Sequence, residues 1–154
     1  MKKKITAIVQ ARIGSSRLRG KVLKKILRKE SIILLLERLS RAKQISNIVV
    51  AIPRNKENDI LYKLLKKYKY NVYRGSENDV LKRYYECAKK YNAQHILRVT
   101  GDCPLVDSKL VDEIANVYKL NNFDYVSNIE QRTYPDGMDL EFFSFKTLLK
   151  IHSN

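Results

Sequence analysis

Four cations crowd around small residues in QARIGSSRLRGKVL, residues 10–23: Arg12, Arg17, Arg19 and Lys21 surround Gly14, Ser15, Ser16 and Gly20. The stretch follows the apolar run ITAIV at residues 5–9, so it reads as the loop leaving a buried strand. Glycines let backbone N–H groups come close to a ligand, because no Cβ intervenes. Successive N–H groups in such a turn form an anion-binding hollow, and guanidinium groups fork onto phosphate oxygens. These residues suit the phosphates of a nucleotide. The competing reading is a solvated basic loop between a strand and a helix.

Spacing rules out the two commonest nucleotide motifs. A P-loop has four residues between its glycines, then Lys and a Ser or Thr that binds magnesium. Here five residues separate Gly14 from Gly20, and Lys21 is followed by Val22. The three glycines of a dinucleotide fingerprint are missing as well.

Asp102 is the second residue with chemistry to offer. It follows Gly101 at the end of the run QHILRV, residues 94–99, and Pro104 stiffens what comes next. A carboxylate there holds Mg²⁺ against gathered phosphates, since magnesium takes one or two carboxylates and fills its shell with phosphate oxygens and waters. Gly-Asp is also ordinary turn chemistry, and residue types alone leave both readings open. Asp107 suits an N-cap better than a ligand.

The elements that must position these residues follow from periodicity. Strands are expected at 5–9, 47–52, 71–73, 94–99, 125–126 and 138–143. Helical stripes run through Ile32 to Leu39, Ile60 to Leu65, Val80 to Ala88, Leu110 to Tyr118 and residues 145–151. Asn58 or Asp59 is placed to cap the second helix, and the third starts near Asn78. Strands alternating with helices predict an α/β fold, a mostly parallel sheet with helices on both faces. Ligands of such sheets bind at the carboxyl ends of strands. The polar clusters at 10–21, 74–79 and 100–102 all fall there.

The 154 residues suit one domain, and 44% hydrophobic residues exclude a disordered chain. No apolar run is long enough to cross a bilayer, and residues 5–9 are too short for a signal-peptide core, so a cytoplasmic protein without a membrane partner is expected. Cys87, Cys103, His95 and His152 lack disulfide or zinc spacing, and Cys87 reads as packing. The net charge of +15 favours any polyanion and does not choose between nucleotide and nucleic acid. A nucleic-acid binder would leave the Gly-Asp site unexplained, so none is expected.

Residues 10–23, LRVTGDCPLVD (97–107) and YVSNIEQRTYPDGMDLEFFS (125–144) resemble the cytidylyltransferases that activate acidic sugars. These include the acylneuraminate and 3-deoxy-manno-octulosonate enzymes and, most closely, the spore-coat polysaccharide SpsF type. The resemblance implies a Rossmann-like fold of the GT-A nucleotidyltransferase kind. It also implies Mg²⁺-dependent transfer of CMP from CTP to a sugar, with release of pyrophosphate, for polysaccharide or glycoconjugate synthesis. By motif, Gln10, Ala11 and Arg12 would meet cytosine and ribose, and Gly14, Ser15, Ser16, Arg17 and Lys21 the triphosphate. Asp102 would bind the metal, with Arg98 and Thr100 on the floor beside it. Arg74, Ser76 and Asp79 would flank the base, and Tyr134, Asp136, Asp139 and Glu141 would contact the sugar. Arg17, Lys21 and Asp102 would carry the catalysis, and a homodimer is compatible with the resemblance.

Two departures stand out. Arg19 replaces a usual Pro, which would loosen the loop or add a phosphate contact. The chain stops at Asn154 inside a helical pattern, so a C-terminally incomplete domain is expected. The alternative to an enzyme is then a nucleotide-binding fragment without catalysis.

Overall fold

The computed structural model describes residues 3–15, 17–121 and 123–153. Six strands form one sheet: β1 (Ile5–Gln10), β4 (Ile45–Pro53), β5 (Asn71–Gly75), β6 (His95–Thr100), β7 (Tyr125–Ser127) and β8 (Glu141–Ser144). Their order is β5-β4-β1-β6-β8-β7. The first four run parallel, whereas β8 pairs antiparallel with both β6 and β7. β1 is therefore central, which explains its unbroken apolar run: both of its faces are covered.

Alternation along β1 sends its residues into two cores. Ile5, Ala7 and Val9 join the apolar stripes of α1 (Ser31–Leu39), α2 (Asp59–Lys67) and α4 (Ser108–Leu120). Ile8 packs on the other face with Tyr84, Cys87 and Ala88 of α3 (Val80–Lys90) and Leu148 of α5 (Phe145–His152). Cys87 is packing, as expected. Among the described residues no helix is long and apolar enough to cross a membrane.

Two expectations need correction, and one element is additional. The last strand begins at Glu141, not at residue 138, because Asn128 captures the backbone before it. The Asn128 side chain donates to the Met138 carbonyl at 2.8 Å and accepts from Leu140 N–H at 2.9 Å, removing those groups from the ladder. Asn58 lies at the head of α2 but makes no side-chain cap there. A small antiparallel hairpin, β2 (Lys25–Ile26) with β3 (Lys29–Glu30), was not foreseen. Its turn residues Leu27 and Arg28 stand at φ 49° and 70°, in the left-handed region normally held by Gly or Asn. Nothing in their residue types signals a turn.

Candidate functional site

The loop after β1 is closed by its own backbone. The Ile13 carbonyl accepts from both Ser15 N–H and Gly20 N–H at 2.9 Å. Gly20 stands at φ 68°, the conformation that lets the chain turn straight into the short helical turn Lys21–Leu23. Val22, 2% exposed, anchors that turn in the core and leaves Lys21 facing the sheet end.

Asn58 holds the loop from below. It is 1% exposed, its Oδ1 accepts from Ile13 N–H at 3.0 Å, and its Nδ2 donates to Asn55 Oδ1 at 2.6 Å. Sequence reasoning placed it at a helix start; the structure makes it the strut of the anion loop. Asn58→Leu, which strips the acceptor from a buried N–H, should lower stability by about 1–3 kcal/mol. A urea titration checks this; an unchanged midpoint would remove the strut role.

β1 and β6 end side by side, with Gln10 opposite Thr100 and the Gln10 carbonyl accepting from Gly101 N–H at 2.7 Å. This register sets Asp102 against the loop. Lys21 Nζ donates to Asp102 Oδ2, closing an ion pair whose side chains are 29% and 38% exposed. Burial pushes the Asp102 carboxyl up, but hydrogen bonds from Lys21 and Thr100 outweigh it, so it titrates below the usual carboxylate value. A carboxylate lowered in the folded chain contributes stability above its unfolded value. That stability is lost as pH falls through the folded value.

Gln10, Ala11, Arg12, Ser15 and Arg17 line one cleft of about 280 Å³ together with Lys21, Thr100 and Asp102. All eight were singled out from the sequence. Gly14 lies beside it, where a Cβ would stand 3.1 Å from Glu57 Oε2. Ser16 lies outside the described residues. Arg19 does not line the cleft, and its guanidinium pairs with Glu57 at 2.7 Å.

Other candidates are engaged elsewhere. Arg74 pairs with Asp59 at 2.6 Å and donates to the Asn55 carbonyl. Ser76 Oγ accepts from Asp79 N–H, and Asp79 caps α3 by accepting from Lys82 N–H at 2.8 Å. Arg98 and Glu141 sit opposite each other on β6 and β8 and form an ion pair, with Tyr125 donating to the second Glu141 oxygen at 2.9 Å. Asp136 and Asp139 are tied to Arg132 at 3.1 and 3.2 Å, and Tyr134 is exposed. None of these residues lines the cleft. Asp107 caps α4, accepting from Lys109 and Leu110 N–H, as its position suggested.

The cleft also contains Val80 and Arg83, which sequence reasoning missed. A signal was there: Arg83 falls in the apolar stripe of α3 with Val80, Tyr84, Cys87 and Ala88, where a cation is out of place. Among the lining residues Arg12, Arg17, Lys21 and Arg83 are balanced by the single carboxylate of Asp102. Such an excess of positive charge in a concave site draws anions. Among the described residues no three His, Cys, Asp or Glu side chains gather as a metal site. A metal here would rest on one carboxylate and on its ligand's oxygens, which is a donor set magnesium accepts.

A mostly parallel sheet whose strand ends carry a basic loop and a carboxylate makes this an α/β protein with an anion-suited cleft. The comparisons narrow it: the cytidylyltransferase family profile matches residues 6–152, and the chain belongs to that family. An uncharacterized protein of Methanocaldococcus jannaschii is 41% identical over 151 residues, covering 98% of this chain and 61% of that one. The spore coat polysaccharide biosynthesis protein SpsF of Bacillus subtilis is 34% identical over 125 residues, covering 79% and 52%. A cytidylyltransferase structure from Leptospira borgpetersenii serovar Hardjo-bovis superposes with a TM-score of 0.93 at 38% identity, covering 97% of this chain and 64% of that one. The chain thus spans about half to three fifths of the length of these curated relatives. The sequence-level resemblance and the expected fold are both met.

Proposed function

We propose that this chain transfers CMP from CTP to a sugar hydroxyl and releases pyrophosphate, in cytoplasmic synthesis of a surface polysaccharide or glycoconjugate. The observation that carries the reading is the meeting of Arg12, Arg17 and Lys21 with Asp102 in one cleft. Membership of the cytidylyltransferase family and likeness to SpsF support the nucleotide and the sugar. Asp102 would hold Mg²⁺, which when bound neutralises phosphate charge. Arg17 and Lys21 grip the triphosphate and stabilise the negative charge that builds as the sugar oxygen bonds to the α-phosphorus and pyrophosphate leaves. Gln10 and Ala11 define where the nucleoside lies. Much of the rate then comes from orientation and fixed positive charge rather than covalent catalysis.

The test is pyrophosphate release from CTP and Mg²⁺ with a panel of neutral and acidic sugars, alongside calorimetric CTP binding. Release that depends on one sugar is the expected result; no CTP binding overturns the reading. A second reading, nucleotide binding without turnover, is favoured by one observation. Tyr134, Asp136, Asp139 and Glu141 stand outside the cleft. It predicts CTP binding with no pyrophosphate from any sugar. A nucleic-acid binder would instead show steeply salt-dependent oligonucleotide affinity.

A further inference from the structure

Arg83 is 2% exposed, yet it carries a guanidinium on the core side of a helix. Nη1 donates to the Ser76 carbonyl and, at 3.4 Å, to the Glu77 carbonyl. Nε is buried with no partner, and none of the ion pairs among the described residues includes this side chain. The fold makes room for it: a Cβ on Gly75 would stand 3.0 Å from Arg83 Cγ and 2.7 Å from Tyr73 Cε1. Keeping a cation buried with an unused donor is costly unless something else supplies the acceptor.

The acceptor can be located along the cleft. Lys21 and Asp102 pair beside the loop that follows β1. Arg83 lines the same cleft as Gln10, Ala11 and Val80, the last two giving apolar surface for a flat ring. A second buried atom there also lacks a partner, Gln10 Oε1, and it is an acceptor. An unused donor and an unused acceptor thus belong to two residues that line one cleft.

We propose that Arg83 reads the base, its guanidinium donating to the N3 and O2 acceptors of cytosine while Gln10 Oε1 takes the N4 amino hydrogen. This rests on the CTP reading of the same cleft. Uracil turns an N3–H toward the guanidinium, donor against donor, and offers Gln10 an oxygen in place of an amino group. Rejection then comes from buried groups left unpaired, which discriminates more sharply than shape alone.

The experiment is calorimetric binding of CTP, UTP and inorganic tripolyphosphate to the native chain and to Arg83→Met. The native chain should favour CTP over UTP by about tenfold or more. Arg83→Met should narrow the preference for CTP over UTP to the part read by Gln10, with CTP weakened about tenfold and tripolyphosphate unchanged. A variant that keeps the native CTP preference undiminished overturns the role of Arg83, as does one that loses tripolyphosphate and CTP in equal proportion. A native chain indifferent to the base overturns the CTP reading itself. The ligand can also be cut instead of the protein, whether or not the variant folds. The 3-deaza analogue of CTP lacks the N3 acceptor and should bind the native chain about tenfold more weakly. Equal binding of the two overturns the proposal.

Discussion

Lys21→Ala lowers pyrophosphate release from CTP by about a hundredfold or more, on the scale of removing one preorganised transition-state donor. The lysine begins the turn Lys21–Leu23, but the turn is anchored by Val22, and the ammonium is spent on Asp102 rather than on the core. Truncation should therefore leave the fold intact, with native circular dichroism and a melting curve lowered only by the loss of one part-exposed ion pair. The loss should fall mainly on kcat, since Arg12 and Arg17 still line the cleft and hold ground-state phosphate charge. A folded variant with native turnover would sink the assignment of Lys21.

Gly101→Ala should be the most damaging single methyl group near the site. A Cβ there would lie 2.8 Å from the Gln10 carbonyl oxygen and 2.8 Å from Ala11 Cβ. The Gln10 oxygen is backbone and already accepts from Gly101 N–H, so no rotamer relieves the clash. The ends of β1 and β6 would have to part, at a cost of about 1–3 kcal/mol for overpacking. The same separation would move Asp102 away from Lys21, so CTP binding should weaken together with stability. Gly20→Ala separates the two causes of damage. Its Cβ would meet nothing within 4 Å, and the substitution strains only the backbone at φ 68°. A native melting temperature for Gly101→Ala would show that the strand ends have slack that the packing does not suggest.

The sequence made the main strands legible because β1 and the second half of β4 are buried on both faces and read as apolar runs, while β6 keeps Ile96, Leu97 and Val99 buried. It made the phosphate half of the site legible as well, because that half is a contiguous loop with one partner at the end of a neighbouring strand. Residues whose roles depend on distant partners were not legible. Asn58 looks like a helix cap until Ile13 is seen to need its oxygen. Glu141 looks available to a ligand until the β6–β8 register sets it against Arg98. The Asp79 carboxylate is drawn into capping α3 by a local hydrogen bond that competes with any ligand. The Leu27–Arg28 turn lies beyond any residue-type rule, since the surrounding strands impose its backbone. Arg83 shows the reverse case: a cation misplaced in an apolar stripe is visible in the sequence, and the structure puts it in the lining of the cleft.

The strand order carries a consequence for how the molecule assembles. β7 precedes β8 in the chain, yet β8 separates it from β6 in the sheet. After β7 has been made it has no ladder partner until residues 141–144 arrive and insert themselves as the bridge. The four parallel strands that present the phosphate loop and Asp102 lie wholly within the first 100 residues of the order and need no such wait. Loop closure and N-to-C synthesis both favour early contacts. The cleft for the nucleotide should thus be the early-forming half of the protein. The rim carrying residues 128–140 should be the late half, and the first to open when the chain is heated.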